Sequence, residues 1–536
     1  MPGDGFSYRV SYRFQWVFCQ LKTLRHVVEA DVREILKTLP RTLDETYERV
    51  LKNINEDKRN HARRLLHCLS VSTRPLRVEE LAEILTFDFD KTKGGIPKFH
   101  TNRRPKNPEE AVLSICSSLI TIVENGDSRV VQFSHFSVKE FLTSNHLASS
   151  SGDLSQYHVL PGPAHTILAQ VCLGILLHVD DRNVSPLAKY AAQHWVAHAQ
   201  FQDVSSHVQD GMKSLFNIDR PHFAAWVNLY DIDGESERPP SKMPSPLYYS
   251  ALCGFHDLVQ HLAVKYPQHV NAIGGSYRFP LIAALCRNHL RVAELLLEHG
   301  GRIDLLDTRE QAPLHRILER RGQVAINGVR FLLERGADVN APRDDRWTPL
   351  HLAAHFGEFS VVQMLLDHQA DANSRNDDGQ APLHLLSRRE MFEDGDDGSD
   401  LAKLLLEYGA YVNAKDKDKG TPLHMASYAK RLEVARVLLN HGANIHAENN
   451  RGETPWRIAL NTQEDGTDVA QLLLEHRIKS YARDKYDISA PVLACGFGKQ
   501  KIGRVRLGDT EKLEPENNED QSAFRLWIEG KDYSGA

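Results

Sequence analysis

The chain lacks the signals of a secreted, membrane-spanning or disulfide-stabilised protein. Its seven cysteines form an odd, scattered set without a Cys-x-x-Cys pair, which is typical of free thiols in a reducing compartment. The most apolar stretch, Ile167 to Val179, is too short for a membrane span of about 20 residues and predicts a buried helix. No basic segment followed by an apolar one opens the chain, so no signal peptide is predicted.

Charge of one sign is also lacking. The 536 residues include 65 Lys and Arg against 71 Asp and Glu, and 41% of the residues are hydrophobic. No field of the whole chain would attract nucleic acid or an anionic membrane. The length predicts roughly three or four domains with packed cores. We therefore expect a soluble, cytoplasmic, multidomain protein.

Motifs of catalysis and metal binding are missing as well. The sequence has no H-E-x-x-H, no paired cysteine spacing and no G-x-S-x-G. We predict no catalytic residue, no metal site, no cofactor and no small-molecule substrate, hence a chain that is not an enzyme. Six cysteines in apolar helical patterns are predicted to be small buried side chains: Cys19, Cys68, Cys116, Cys172, Cys253 and Cys286.

What the sequence does contain is a repeat of about 33 residues in its second half. A proline anchor recurs with spacings of 34, 33, 36, 33, 40 and 33 residues, at Pro246, Pro280, Pro313, Pro349, Pro382, Pro422 and Pro455. Thr before Pro is a helix start, and leucine pairs mark a second helix. The glycines at 300, 336, 409 and 442 suit a left-handed end to that helix. The two long spacings predict loop insertions between the helices, at 320–328 and 388–400.

These residues resemble the ankyrin repeat, whose hallmark is T-P-L-H-x-A at this period. The resemblance covers residues 241–480 and implies a solenoid of seven units that binds a protein partner on a concave face. One His at a fixed position in each unit predicts a bracing hydrogen bond rather than a metal ligand. The structural anchors are Pro313, His315, Pro349, His351, Pro382, His384, Pro422 and His424.

Variable loops between the units, here called fingers, are the predicted partner-binding elements. Counting back from each Thr or Ala cap places the finger tips at Thr308, Arg309, Gln311, Asp344, Asp345, Trp347, Asp377, Asp378, Gln380, Lys417, Asp418, Asn450, Arg451 and Glu453. Trp347 is the sharpest candidate, because Trp is enriched among binding hot spots. The alternative, that Trp347 packs on the neighbouring finger, stays open at this point.

The first half predicts helices followed by a two-stranded wing. Pro40 separates two helices within 14–54, and Thr42 with Glu45 forms a capping box. An amphipathic helix is predicted over Val78 to Phe87, and another helix over Asn107 to Ile120. Asn125-Gly126 then predicts a hairpin. The order favours a winged-helix domain.

Several stretches resemble the region after the nucleotide-binding domain in fungal NACHT–ankyrin proteins of the STAND class. They are FQWVFCQL, LPRTLDETYERVL, PLRVEELAEIL, SHFSVKEFL and the bridging LAKYAAQHWVAHAQ. The resemblance implies a helical segment, a winged helix and a helical bridge before the repeats. The phosphate-binding GxxxxGK[ST] of the NTPase is missing, so the resemblance is to the family without its motor. A natural short form and a truncated gene model both remain open.

The predicted fold class is mainly α, an ankyrin solenoid preceded by a helical segment and a winged-helix domain with a small β-hairpin. The predicted organisation is a disordered N-terminus (1–13), helical segment (14–60), winged helix (61–148), helical bridge (149–240), ankyrin repeats (241–480) and a mostly disordered tail (481–536). Within the tail, FRLWIEG is an apolar island, either a docking peptide or without function.

We expect a non-enzymatic scaffold that binds a protein partner, with STAND-type signalling implied by resemblance. One alternative is a fragment of a NACHT NTPase switch. The other is a nucleic-acid-binding regulator acting through the winged helix. Against it, the helix that would enter the groove carries Glu109 and Glu110 without Lys or Arg, and residues 61–148 have 12 Lys and Arg against 10 Asp and Glu. The run Arg103 to Lys106 leaves a nuclear signal open beside the preferred interpretation of a solvated loop.

Overall fold

The computed structural model describes residues 40–93, 95–116, 118–126, 128–150, 152–179, 185–234, 244–307, 309–387, 398–461 and 467–481. The predictions for 1–39, for Thr308 and for the tail from 482 onward lie outside the described residues. The chain divides into two compact units, one up to Pro280 with Glu294–Gly300, the other of Leu281–Ala293 and the residues from Gly301 onward. Within the described ranges, no helix has both the length and the apolar character needed to cross a bilayer.

The first unit is built mainly of helices, with two small antiparallel sheets. Its helices are α1 (Leu43–Lys52), α2 (Arg59–Val71), α3 (Val78–Glu83), α4 (Pro108–Cys116), α5 (Phe136–Leu142), α6 (Asn145–Ala148), α7 (Pro161–Leu176), α8 (Ala188–Ala199), α9 (Val204–His207), α10 (Gln209–Leu215), α11 (His222–Leu229), α12 (Pro246–Leu252) and α13 (His256–Lys265). Its strands are β1 (Leu76–Arg77), β2 (Phe87–Lys93), β3 (Ile96–Phe99), β4 (Ile120–Asn125) and β5 (Ser128–Phe133). The predicted capping box of Thr42 and Glu45 begins α1.

The predicted wing is a hairpin of β4 and β5, whose register runs from the Ile120–Phe133 pair to the Asn125–Ser128 pair. Gly126 turns the chain with φ 58°, a conformation that favours glycine. Strand β1 adds to the far side of β5, giving the order β1-β5-β4. The helix predicted up to Ile120 is wrong at its end. It stops at Cys116, because Ile120 pairs in the sheet.

A second hairpin, β2 and β3, was not predicted from the sequence. It pairs Phe87 with Phe99, and their rings lie 4.9 Å apart. The amphipathic helix predicted up to Phe87 therefore ends early. It becomes a tight helical turn at Ile84–Thr86, and Phe87 begins β2.

Two buried ion pairs fix α3. Glu80 and Glu83 are 3% and 1% exposed. Arg74 donates to both carboxylate oxygens of Glu80 at 2.8 and 2.7 Å. Arg104 does the same for Glu83, at 2.9 Å through Nε and 2.6 Å through Nη2. A buried charge needs such a partner. Within the run Arg103 to Lys106, Arg103 and Lys106 are exposed, whereas Arg104 is half-buried and paired with Glu83.

An aromatic cluster joins the helical bridge to the first helix pair of the repeats. The Trp195 ring lies 5.3 Å from that of Trp226 and 5.4 Å from that of Phe255. Tyr249 meets Trp226 edge to face. Trp226 Nε1 donates to Ala192 O at 3.1 Å, which satisfies its polar atom in the core. This packing explains why α12 and α13 belong to the first compact unit.

The remaining repeat helices are α14 (Pro280–Cys286), α15 (Leu290–Glu298), α16 (Pro313–Leu318), α17 (Gly322–Leu333), α18 (Pro349–Phe356), α19 (Phe359–Asp367), α20 (Ser399–Glu407), α21 (Pro422–Tyr428), α22 (Leu432–Asn440), α23 (Pro455–Asn461) and α24 (Thr467–Tyr481). Pro382–Ser387 forms a 3₁₀ helix in place of one first helix. The predicted left-handed glycines are found, with φ between 82° and 87° at 300, 336, 409 and 442.

The insertion predicted as a loop at 320–328 is wrong. Helix α17 begins at Gly322 and has 12 residues, whereas α19, α20 and α22 have 9 each. The extra residues lengthen the second helix. Most of the second predicted insertion, 388–397, lies outside the described residues.

Candidate partner-binding surface

Each finger is a tight turn closed by its own side chain. In four of the five fingers, an Asp or Asn side chain accepts backbone N–H groups further along the loop. Asn449 Oδ1, for example, accepts from Arg451 N and Glu453 N at 2.9 Å each. The first residues of these turns are Asp307, Asn376, Asp416 and Asn449. Asx side chains suit such turns because they replace a backbone acceptor.

The fifth finger replaces this turn with an ion pair. Arg343 occupies the Asx position, and its Nε and Nη2 donate to the Asp345 carboxylate at 2.7 and 2.8 Å. Asp345 Oδ1 in turn accepts from Trp347 N at 3.2 Å. The Arg343 guanidinium and the backbone donor hold the pKa of Asp345 below its ordinary value despite partial burial, which opposes them. The tip of this finger is thus fixed by charge.

Backbone hydrogen bonds join successive fingers into a ladder. Asp377 N donates to Asp345 O at 2.9 Å and Lys417 N to Asp378 O at 2.9 Å. Asn450 N donates to Asp418 O at 2.8 Å. These hydrogen bonds fix the spacing of the finger tips in the unbound chain. The loss of conformational entropy on binding a partner is therefore smaller.

The four anchor histidines link each first helix to the finger that follows it. His315 Nε2 lies 3.0 Å from Trp347 O, and His351 Nε2 lies 3.0 Å from Gln380 O. His384 Nε2 lies 3.1 Å from Ala414 O and 3.3 Å from Gly420 O, and His424 Nε2 lies 3.1 Å from Glu453 O. A carbonyl only accepts, so Nε2 donates in each case. For His315, His351 and His424 the accepting carbonyl belongs to the last residue of the next finger, and His384 shares its Nε2 hydrogen between that residue and Ala414.

The other ring nitrogen closes the helix start. His351 Nδ1 accepts from Thr348 N at 3.1 Å and lies 2.8 Å from Thr348 Oγ1. His424 repeats this with Thr421, and His384 accepts from Ala381 N. Burial lowers the pKa of His351 to about 4 and lowers those of His315, His384 and His424. His351, His384 and His424 are thus engaged at both ring nitrogens and brace the stack, whereas His315 braces it through Nε2 and its buried Nδ1 has no hydrogen-bond partner among the described residues.

Most predicted finger tips lie at the surface of the second unit. The exposed ones are Arg309, Asp344, Asp377, Asp378, Lys417, Asp418, Asn450 and Arg451. Half-buried tips are Asp345, Trp347, Gln380 and Glu453. Gln311 is only 5% exposed, so this residue lies in the interior rather than on the predicted surface.

Trp347 packs against side chains of its own repeat. The Arg343 guanidinium lies 5.1 Å from the centre of the indole. His355 meets the indole edge to face, with ring centres 5.5 Å apart. The side chain is therefore held in one orientation while part of its surface stays open to solvent.

A groove lies between the last two fingers and the helices behind them, with a volume of about 390 Å³. We call it the terminal groove, and its lining is Asp418, Gly420, His424, Met425, Tyr428, Asn449, Asn450, Arg451, Glu453 and Ile458. Tyr428 is 70% exposed. Tyr428 was not among the predicted partner-binding residues, because those predictions covered only the loops between the repeats. A Tyr as the last residue of α21 is the sequence feature that could have indicated an exposed aromatic side chain.

The wing of the winged-helix domain presents a different surface. Helix α4 carries Glu109, whose carboxylate pairs with Arg129 of β5 at 2.6 Å. DNA binding requires a basic surface. Arg129 does not contribute to one, because its charge is paired with the carboxylate of Glu109 on the helix that would enter the groove. Within the described residues, no group of three or more His, Cys, Asp or Glu side chains could hold a metal ion.

Two family models match the chain. Ankyrin repeats match in three copies, over residues 247–343, 325–416 and 392–484. The GPI inositol-deacylase winged helix domain matches residues 47–152. The predicted fold class is confirmed: the chain carries a winged-helix domain followed by ankyrin repeats, and such repeats indicate a protein-interaction scaffold.

Similar proteins cover parts of the chain. Azaphilone pigments biosynthesis cluster protein L of Monascus ruber is 29% identical over 295 residues, which are 50% of this chain and 61% of the relative. Ankyrin repeat protein nuc-2 of Neurospora crassa is 32% identical over 124 residues, 23% of this chain and 11% of the relative. The chain thus spans less than two thirds of these relatives. The solved ankyrin repeat domain of Bcl-3 is 25% identical, covers 43% of this chain and 98% of that chain, and has a TM-score of 0.36.

Proposed function

We propose that this chain is a non-enzymatic scaffold whose finger tips and terminal groove bind a protein partner. The observation that carries the proposal is the hydrogen-bonded ladder of fingers. The ladder presents exposed charges at fixed spacing. Two aromatic side chains flank these charges: Trp347, which packs against Arg343, and the exposed Tyr428. Rigid aromatics within a polar surface are the usual anchors of protein interfaces.

The winged-helix module packs and regulates in this proposal and does not read DNA. Two features support this. Its α4 helix is acidic, and the wing Arg129 is tied to that helix. Its order before ankyrin repeats also matches the arrangement implied by the STAND resemblance, so we place the chain in signalling of that type within the cytoplasm.

The proposal is tested by affinity capture with the full chain followed by titration of the purified captured protein. Two variants change the surface, Trp347→Ala and the double reversal Asp377→Lys with Asp378→Lys. We expect each to weaken binding at least tenfold, because truncation of a hot spot or reversal of tip charge removes complementarity. The double reversal changes exposed side chains only, so we expect the fold to stay intact.

The matched control is Arg436→Glu on α22, an exposed reversal away from the fingers. Its affinity should stay within twofold of the wild type. If the tip variants bind the captured protein as tightly as Arg436→Glu does, the finger-tip surface is not the binding site. Thermal unfolding of every variant separates a lost contact from a lost fold.

A further inference from the structure

We propose that the terminal groove receives an arginine side chain of the protein partner. In this arrangement the guanidinium lies against the ring of Tyr428 and pairs with the carboxylate of Asp418, and Glu453 supplies a second carboxylate of the lining. The inference rests on the proposed function, because it names the chemical group that the partner presents to this part of the surface.

The groove has an open aromatic wall. Tyr428 lines the groove and is 70% exposed, and Met425 and Ile458 are further apolar parts of the lining. Gly420 also belongs to the lining, and a Cβ atom at this position would lie 3.1 Å from Cε of Met425. Glycine therefore keeps this part of the groove open. The volume of about 390 Å³ is enough for a long side chain.

The charged side chains of the lining favour a cation. Asp418 and Glu453 stand against the one permanent base Arg451, which leaves a net charge of −1. Burial lowers the pKa of His424, so its ring adds no charge at neutral pH. Within the described residues, the Asp418 carboxylate forms no hydrogen bond or ion pair, and Arg451 is not paired with either acid. A carboxylate in this state favours a base brought by the partner.

The finger of Trp347 shows the same chemistry satisfied within the chain. The Arg343 guanidinium lies 5.1 Å from the centre of the indole and donates to the Asp345 carboxylate at 2.7 and 2.8 Å. The indole in turn packs against His355, which is 7% exposed. One guanidinium thus satisfies a carboxylate and an aromatic ring together.

The terminal groove has the equivalent positions without the guanidinium. The equivalent residues, at equal distances from the anchors Pro349 and Pro422, are Arg343 with Asp416, Asp345 with Asp418, Trp347 with Gly420, and His355 with Tyr428. Asp416 accepts from Gly420 N at 2.7 Å and so closes its own turn. An acid therefore replaces the internal base, and a carboxylate and an exposed ring are left for an arginine of the partner.

Hydrogen bonds hold both acids of the groove in place. Asn450 N donates to Asp418 O at 2.8 Å, and Asn450 Nδ2 donates to Lys417 O at 3.1 Å. His424 Nε2 donates to Glu453 O at 3.1 Å. The backbone that carries the acids is thus fixed in the unbound chain, which lowers the entropy lost on binding. Arginine suits the site better than lysine, because its planar guanidinium stacks on a ring and pairs with carboxylates through two N–H groups.

The test is selection of displayed random dodecapeptides on the immobilised full chain, followed by titration of the enriched peptides in solution. We expect arginine to be enriched at one peptide position. Its replacement by citrulline, which keeps the shape and removes the charge, should weaken binding at least tenfold. Its replacement by lysine should weaken binding at least threefold.

Variants of the full chain locate the binding site of these peptides. Tyr428→Ala and the double variant Asp418→Asn with Glu453→Gln should each weaken binding at least fivefold, whereas Tyr428→Phe keeps the ring and should stay within twofold. The matched controls are Tyr411→Ala, which removes an aromatic that is 67% exposed outside the groove, and Asp400→Asn on α20, an exposed acid. Both controls should bind as the wild type does, and thermal unfolding of every variant separates a lost contact from a lost fold.

Each other outcome overturns the inference. No enriched peptide, enrichment without arginine, or unchanged binding by the groove variants means that the groove takes no arginine. A dimer of the full chain that the peptide dissociates, measured by light scattering, means that a second copy occupies the groove. The proposed function fails separately, through unchanged capture by the finger-tip variants. Peptide binding that Trp347→Ala weakens and the groove variants do not would keep the proposed function and remove this inference.

Discussion

At the scale of single residues, the anchor histidine His351 makes two structural hydrogen bonds, one at the start of its own helix and one to the next finger. In an ordinary capping box, Glu or Gln three residues into the helix accepts the cap N–H. Here His351 accepts through Nδ1 and still has Nε2 to donate to Gln380 O in the next finger. The imidazole thereby ties the start of one helix to the fold of the next unit.

Replacing His351 with Ala should therefore destabilise the chain by about 2–3 kcal/mol, because a buried N–H and a buried carbonyl lose their partners. His351→Gln keeps a capping acceptor and should cost less. Urea unfolding at pH 7.5 measures both. His368→Ala is the control, since His368 is exposed and its ring bonds only within its own helix. Equal stability of His351→Ala and the control would contradict the bracing role.

The same histidine predicts a pH dependence. Its pKa falls from about 6.5 in the unfolded chain to about 4 in the fold, because burial disfavours the charged ring. The stability it contributes is complete above pH 6.5 and is lost as the pH falls toward 4. Between these values, wild type should lose about 1.4 kcal/mol per pH unit more than His351→Gln does. Parallel pH profiles of the two proteins would count against a neutral buried ring.

At the scale of elements, the turns that end the second helices decide the length of each unit. Glycine occupies the left-handed position after most of them, but Gln369 occupies it after α19 with φ 69°. The Gln369 side chain is exposed. The backbone bonds of the turn are kept, because Gln369 N still donates to Leu366 O at 2.9 Å. The position is therefore strained without compensation from the side chain.

Gln369→Gly should stabilise the repeats by about 0.5–1 kcal/mol, since glycine adopts this conformation at no steric cost. The opposite change, Gly409→Gln at φ 84°, is the matched control and should destabilise by a similar amount. Thermal unfolding of the two variants in one buffer measures both. A shift of the same sign in both would show that backbone strain does not set the stability of these turns.

At the scale of the whole molecule, the cysteines of the described residues belong to the packed interior. The cysteines at 68, 116, 172, 253 and 286 are buried free thiols, and burial raises the pKa of Cys68 and Cys116 to about 12. Such thiols are inert as nucleophiles at neutral pH. The predicted Cys19 lies outside the described residues. The ankyrin repeats indicate a protein-interaction scaffold.

We accordingly expect the purified chain to hydrolyse no ATP and to bind no nucleotide at micromolar concentrations, because it lacks a phosphate-binding loop. Phosphate release and titration with a fluorescent ATP analogue measure the two properties. Lys499→Ala is the informative variant, since Lys499 ends the glycine-containing string Gly496–Lys499. Micromolar affinity that disappears in this variant would favour the NTPase interpretation.

The sequence by itself determined the features that depend on neighbours along the chain. The capping box of α1, the hairpin at Asn125-Gly126, the repeat period and the left-handed glycines all follow from residues a few positions apart. Local hydrogen bonding and φ preference act over that range, so the pattern is readable without a fold. Most finger tips could be placed for the same reason.

Tertiary structure alone decided which side chains meet across long separations. Glu80 and Glu83 look like the polar face of an amphipathic helix, yet both are buried, because Arg74 and Arg104 reach them from outside the helix. Gln311 is covered although it follows an exposed Arg309, and Tyr428 stays open although it ends a buried helix. Burial is set by what packs against a residue from elsewhere in the chain, and no local periodicity carries that information.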